Sequence, residues 1–288
     1  MKFVSPTPRS IAAIVVGLAT LLLSTAAHAQ GFFSNSYTVQ GRNLDLGYAG
    51  RTYQWAVFGL NGDVSSSDTV AGTIDVVGNI GVAGTGNLYL SGSVVQGDVW
   101  LRSGGTANLS NKGAIKGKLL QGSSYDSVLN HAVQDANTLA ANCSLLTPTN
   151  TAYSTINTTN QNFTIADTTG GAVVLKLTDF MLSGGTFTLQ GTATTKFIIN
   201  VNRYFSLSSG AKVVTSGGLL ASNVLFNIEN GSTSNAVLSG GSVMNAILLA
   251  ANRTVSLTGA SLVNGEVIGK SVLLSGSSKI KKPPVISP

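Results

Sequence analysis

The sequence predicts an all-β fold: a right-handed parallel β-helix (solenoid) with one long α-helix packed alongside. Three observations carry that expectation. Short runs of Val, Ile and Leu are cut every few residues by Gly, Ser and Asn. Two short patterns recur at a spacing of about twenty residues, the length of one solenoid coil. One stretch, free of Gly and Pro, has helical spacing instead.

The composition fits. Of 288 residues, 43% are hydrophobic but only 10% are charged, against roughly 25% charged in an average soluble domain. Disordered chains are charged and apolar-poor, so that class is excluded. Long helical bundles need Glu, Lys and Ala in quantity and are excluded too. A single cysteine leaves no disulfide framework and no thiolate zinc cage.

Residues 1–29 read as a bacterial secretory signal. Lys2 and Arg9 precede the apolar run Ile11 to Leu23, and Ala27-His28-Ala29 is a small-x-small cleavage site before Gln30. The run is short for a membrane span. The expected organisation is 1–29 signal peptide, 30–280 a single solenoid domain, and 281–288 a disordered basic and proline tail. The expected location is secreted, at the cell surface or outside the cell, with the periplasm as the other possibility. Net charge is mild and its lysines scattered, so solvated loops are the simplest reading and nucleic acid is not an expected partner.

The strand-length runs include Val76-Val77, Leu88-Tyr89-Leu90 and Val99-Trp100-Leu101, each bounded by turn residues. The first recurring pattern, apolar-x-small-x-apolar, centres on Gly72, Gly97, Gly117, Asn245 and Gly265. The second is Leu-Ser/Thr-Gly, at Leu90-Ser91-Gly92, Leu182-Ser183-Gly184, Leu238-Ser239-Gly240, Leu257-Thr258-Gly259 and Leu274-Ser275-Gly276. The period is loose, which leaves a β-sandwich as the other all-β solution. The helix is expected over about 125–142, with Val128, Ala132, Val133, Ala136, Leu139, Ala140 and Cys143 on one stripe. Ser124 is the expected cap, and Asp126 suits the positive end of the dipole.

Residues able to carry chemistry are sparse. His131 and Cys143 would stand about 18 Å apart on a continuous helix, too far to act as a pair. Asp75 and Asp98 could stack one coil apart, recruit calcium and, with Arg102, serve a polysaccharide-acting enzyme. Turn-capping aspartates are the simpler reading. No metal site, catalytic residue or cofactor is assigned, and an enzyme is not expected. The candidate binding surface is a threonine face. In Thr186-Phe187-Thr188-Leu189, alternation sends Phe187 and Leu189 inward and Thr186 and Thr188 outward, with Thr192 and Thr194 following. Such weakly polar rows can match a glycan chain, another solenoid edge or the ice lattice, though threonine is common on solvated strands.

The run from Trp55 to Asp68 (WAVFGLNGDVSSSD), then Val70-Ala71-Gly72 and Val77-Gly78-Asn79-Ile80, resembles the opening of the choice-of-anchor A domain, a collagen-binding-like bacterial adhesive family. The helical stretch from Tyr125, Leu249-Ala250-Ala251-Asn252 and Asn264-Gly265-Glu266-Val267 are similar to its later signatures. The same layout resembles the bacterial ice-binding β-helix family. Two departures stand out: Ala251 replaces the proline of the late turn, and Thr169-Gly170-Gly171-Ala172 stands where a Pro-Gly-x-Tyr segment marks ice binders. No C-terminal sorting signal is seen. The resemblance implies a β-helix with an alongside helix and a non-enzymatic adhesive or matrix protein. Its partners would be an extracellular polymer (glycan or host matrix protein) or its own copies, with ice binding as the alternative.

Overall fold

A computed structural model describes residues 37–44 and 55–282. The expected signal peptide, its Ala29/Gln30 cleavage site and the residues after Lys282 lie outside the described residues. Among the described residues the chain is a parallel β-helix with one long α-helix: every inter-coil strand pair is parallel, and the one antiparallel pair is a small hairpin, Thr38–Val39 with Arg42–Asn43.

The coils do not stack in sequence order. From Trp55 the chain winds through Trp55–Gly59, Val64–Ser67 and Thr73–Val77, then two further coils, to Leu119–Gln121 at one end. Helix α1, Ser123–Ser144, then runs back along the solenoid. Winding restarts at the opposite end with Ile156–Thr159 and Asn162–Asp167 and proceeds towards the start. The final coil, Glu266–Ser275 with Lys279–Lys281, docks on the first: Val267 pairs with Val57, Val272 with Val64 and Ile280 with Val76.

Three faces result, and their residue patterns follow from what covers them. Strands of the first face lie between the solenoid interior and α1. They are therefore apolar on both sides and read as continuous hydrophobic runs, as in Trp55–Gly59, Val99–Leu101 and Val224–Ile228, all buried. The second and third faces meet solvent and alternate. Long strands such as Ala172–Ser183 and Lys196–Ser208 bend from the first face to the second. Inside the coils Phe180 stacks on Phe205 with ring centroids 5.7 Å apart and meets Phe187 and Phe226 edge-on. A second core forms between the first face and α1 around Leu129, Ala132, Ala136, Leu139 and Cys143.

The helix is longer at both ends than its apolar spacing predicts, and Ser124 does not cap it. The strand Leu119–Gln121 leads directly into α1 through Gly122, at φ 140°, with no side-chain cap. Asp126 instead reaches across to the neighbouring turn, accepting from Ser103 N at 2.8 Å and Ser103 Oγ at 2.6 Å. At the other end, buried asparagines of the first face add bonds to carbonyls of the last helical turn. Asn200 Nδ2 donates to Cys143 O at 2.8 Å and Asn227 Nδ2 to Ala140 O at 3.1 Å. Of the expected tail only Lys281 and Lys282 are described, and both belong to the solenoid. Lys281 closes the last strand, and Lys282 pairs with Glu266 at 2.7 Å.

Both recurring patterns mark corners. Gly97, Gly117, Asn245 and Gly265 follow third-face strands. The backbones stack so closely there that a Cβ at Gly265 would overlap the carbonyl of Ala246. Gly72 sits elsewhere, ahead of its third-face strand. The Leu-Ser/Thr-Gly pattern marks the corner between the second and third faces, where glycine supplies positive φ, as at Gly92 (73°) and Gly276 (60°).

Candidate functional site

The second face holds a column of hydroxyl side chains with one residue from every coil. It begins at Thr159, beside Ser183, which stands beside Ser208. Ser239 and Thr258 continue it, each donating its backbone N–H to the preceding coil at 2.8 Å. Ser275, Ser67, Ser91 and Ser110 complete it. Neighbouring members stand one strand spacing apart, about 4.8 Å. The residue before each Ser or Thr points inward and is leucine in most coils, which is why the sequence repeats as Leu-Ser/Thr-Gly.

A parallel column runs two positions earlier on the same face. It reads Asn157, Met181, Ser206, Val237, Ser256, Leu273, Ser65, Tyr89 and Asn108. Every member of both columns is uncharged. Tyr89 and Leu273 are exposed, as is Tyr204 at the edge of the face. Charge borders the face, with Asp68 at the corner after Ser67 and Arg203 and Asp179 at the edge beside Tyr204. There Arg203 donates to both Asp179 oxygens at 3.0 and 2.7 Å, and these bonds hold the Asp179 carboxyl below the usual carboxylate range.

The sequence-predicted threonines lie on the third face. Thr186 and Thr188 point outward from Thr186–Gly191, with Phe187 and Leu189 buried beneath. Thr164 continues the row towards the solenoid end, but on the other side the columns pass to Lys212 and Val214. Further along they reach Lys279 and Lys281. Thr192 and Thr194 sit in the following turn with their hydroxyls 3.0 Å apart. Thr186 and Thr188 thus lie on the third face and Thr192 and Thr194 in the turn after it, whereas the second face carries the row that spans every coil. The Leu-Ser/Thr-Gly repeat, legible in the sequence as a coil marker, encodes that row.

The acidic candidates do not stack as the repeat suggested. Asp98 belongs to a corner, its N–H bonded to Asn79 Oδ1 at 2.9 Å and its Oδ1 accepting from Lys118 N at 2.7 Å. Arg102 donates to the carbonyls of Gly86 and Thr85. Asp75 is 2% exposed because a bulge between Ile74 and Val76 turns it inward and sends Ile74 outward. Its neighbour is Ser66, whose Oγ donates to Asp75 Oδ2 at 3.2 Å. The register, not the roughly twenty-residue spacing, separates Asp75 from Asp98. Among the described residues no three His, Cys, Asp or Glu side chains gather in a metal-binding group. His131 is exposed on α1 and Cys143 is buried against the first face.

A family model described as an ice-binding-like adhesive domain matches residues 26–280. The chain belongs to this ice-binding-like adhesive domain family. No curated protein matches the sequence. Among solved structures, the chain is similar to a glycosylated ice-binding protein (LeIBP) from an Arctic yeast. Identity is 16%, coverage 84% of this chain and 95% of that one, and the TM-score 0.55. It is similar to an ice-binding protein from an Antarctic biological consortium at 18% identity, covering 85% and 93%, with a TM-score of 0.53. It is also similar to an ice-binding protein domain of Shewanella frigidimarina at 12% identity, covering 84% and 98%, with a TM-score of 0.50. At these identities the likeness is one of fold. Among the described residues no helix is long and apolar enough to cross a membrane.

Proposed function

We propose that the protein is a secreted or cell-surface, non-enzymatic adhesive protein whose second face binds a repetitive, uncharged extracellular polymer. The observation that supports this most is the pair of uncharged columns with one hydroxyl per coil. A ligand that repeats along its own length can meet the same donor and acceptor at each step. Tyr89 and Tyr204 add ring faces for the apolar sides of sugar residues. On this reading the leader is removed between Ala29 and Gln30 and the solenoid acts outside the cytoplasm. The threonine patch at Thr186, Thr188, Thr192 and Thr194 is a smaller, secondary contact.

Ice is the second reading, favoured by the regular hydroxyl column and by the family's name. Tyr89, Leu273 and Tyr204 stand out from the face and count against a flat match to a crystal plane. One experiment separates the two. Protein starting at Gln30 is added to growing ice crystals and, in parallel, to insoluble polysaccharides and collagen. Retention on a polymer with unshaped crystals supports adhesion. Faceted crystals and freezing hysteresis without retention support ice binding and overturn the first reading.

A further inference from the structure

The two ends of the solenoid are built differently. At one end Ala107–Ser110, Ala114–Ile115 and Leu119–Gln121 are the last strands of their faces. Their inward positions continue buried columns: Leu109 sits beside Leu90, and Leu119 beside Val99. Leu90 is 1% exposed and Val99 0%, but Leu109 is 48% and Leu119 44% exposed. The interior apolar column therefore surfaces here, rimmed by strand edges with no neighbouring strand among the described residues. At the opposite end, Ile156 and Ile165 of the terminal strands are already buried, and the Tyr153 and Phe163 rings meet edge-on, 5.5 Å apart, over the core.

An open parallel edge is satisfied by a parallel strand, and several features of this chain match its own closed end. On the second face, four-residue Ala107–Ser110 would meet four-residue Ile156–Thr159. On the third, Ala114–Ile115 would meet Asn162–Asp167. Ser110 and Thr159 are the two ends of the hydroxyl column, so stacking continues that column without a break. The charges are opposite in sign. Lys112, Lys116 and Lys118 are exposed at the open end, whereas residues 147–171 contain Asp167 and no Lys or Arg. Helix α1 starts at the open end and finishes towards the closed one, so its unlike dipole ends also face each other. Pairing two open ends would set lysine against lysine.

We propose that the open end docks on the closed end of a second copy, head to tail, extending the parallel sheets from one molecule to the next. The contact is heterologous and does not close, so it builds short filaments. Only the solenoid cross-section is buried, so association is weak and rises with concentration. The inference rests on the ends alone and holds whichever ligand the second face takes.

Sedimentation velocity on protein starting at Gln30 tests it. The weight-average sedimentation coefficient is expected to rise with concentration into the hundreds-of-micromolar range. Leu109→Lys with Leu119→Lys, both at exposed positions, is expected to abolish the rise while circular dichroism and ligand binding stay unchanged. A cysteine pair reports the geometry: Ser110→Cys with Thr159→Cys should form intermolecular disulfides in a ladder beyond dimers, and neither single variant should cross-link. A monomer at all concentrations, an unaffected double-lysine variant, or dimers formed by Ser110→Cys alone would each overturn the proposal.

Discussion

Ser277 Oγ donates to Asp68 Oδ1 at 3.0 Å, joining residues 209 positions apart. This bond lies where the last coil closes on the first, the seam that a discontinuous solenoid must hold together. Beneath it, Asp75 points inward beside Ser66 and Ser93, whose hydroxyls are 2.9 Å apart. Burial, and next the charge of Asp68, push the Asp75 carboxyl above the usual carboxylate range, against the opposing hydrogen bonds of Ser93 and Ser66.

A raised folded-state value means that the seam is favoured with Asp75 protonated. That contribution is complete below the ordinary carboxylate range and is lost as pH rises through the folded value. Asp75→Asn keeps an acceptor for Ser66 and removes the ionisation. Its melting temperature should exceed that of the parent at neutral pH and converge with it in acid. Melting curves from pH 3 to 8 check this, and a pH-independent difference would contradict it.

The asparagines under the helix end make a second prediction. Asn200→Leu removes the donor to Cys143 O and one acceptor of Asn227 Nδ2, Asn200 Oδ1 at 2.8 Å. Losing a buried hydrogen bond whose partners keep other bonds costs about 0.5–1.5 kcal/mol. Urea unfolding should show that loss as a lower midpoint with an unchanged slope.

The binding face can be tested by charge. Ser239→Arg inserts a long cation in the middle of the hydroxyl column, and Thr188→Arg does the same on the third face. Both are surface changes, expected to alter stability by no more than about 0.5 kcal/mol. Ser239→Arg should lose polymer retention or ice shaping, and Thr188→Arg should keep it. The reverse pattern would move the site to the threonine patch.

Cys143 supplies a probe of the helix dock. Burial pushes its thiol far above the ordinary range, so little thiolate forms. An aromatic disulfide reagent should leave the native protein unlabelled at pH 8 and label one thiol in denaturant. Asn200→Leu should speed native labelling if the helix end loosens.

Much of the fold was legible in the residues. Continuous apolar runs marked strands covered on both sides, alternation marked the solvent faces, and the uninterrupted stripe from Val128 to Cys143 marked the helix. The helix start was missed because Gly122 bridges strand to helix with no capping side chain, leaving Ser124 inside. Asp75 was placed wrongly because a bulge changes which side chain points inward, and a bulge has no reliable mark in a single sequence.

By itself the sequence determined that coils form, where they turn and that a hydroxyl precedes the glycine of five corners, because these depend on local alternation and backbone freedom. Only the tertiary structure decided which coils are neighbours. The helix carries the chain back along the solenoid, so that Ser275 stacks on Ser67 and two runs of hydroxyls merge into one column. That juxtaposition is a long-range packing event, set by burial of the helix stripe and closure of the seam, and no local pattern specifies it.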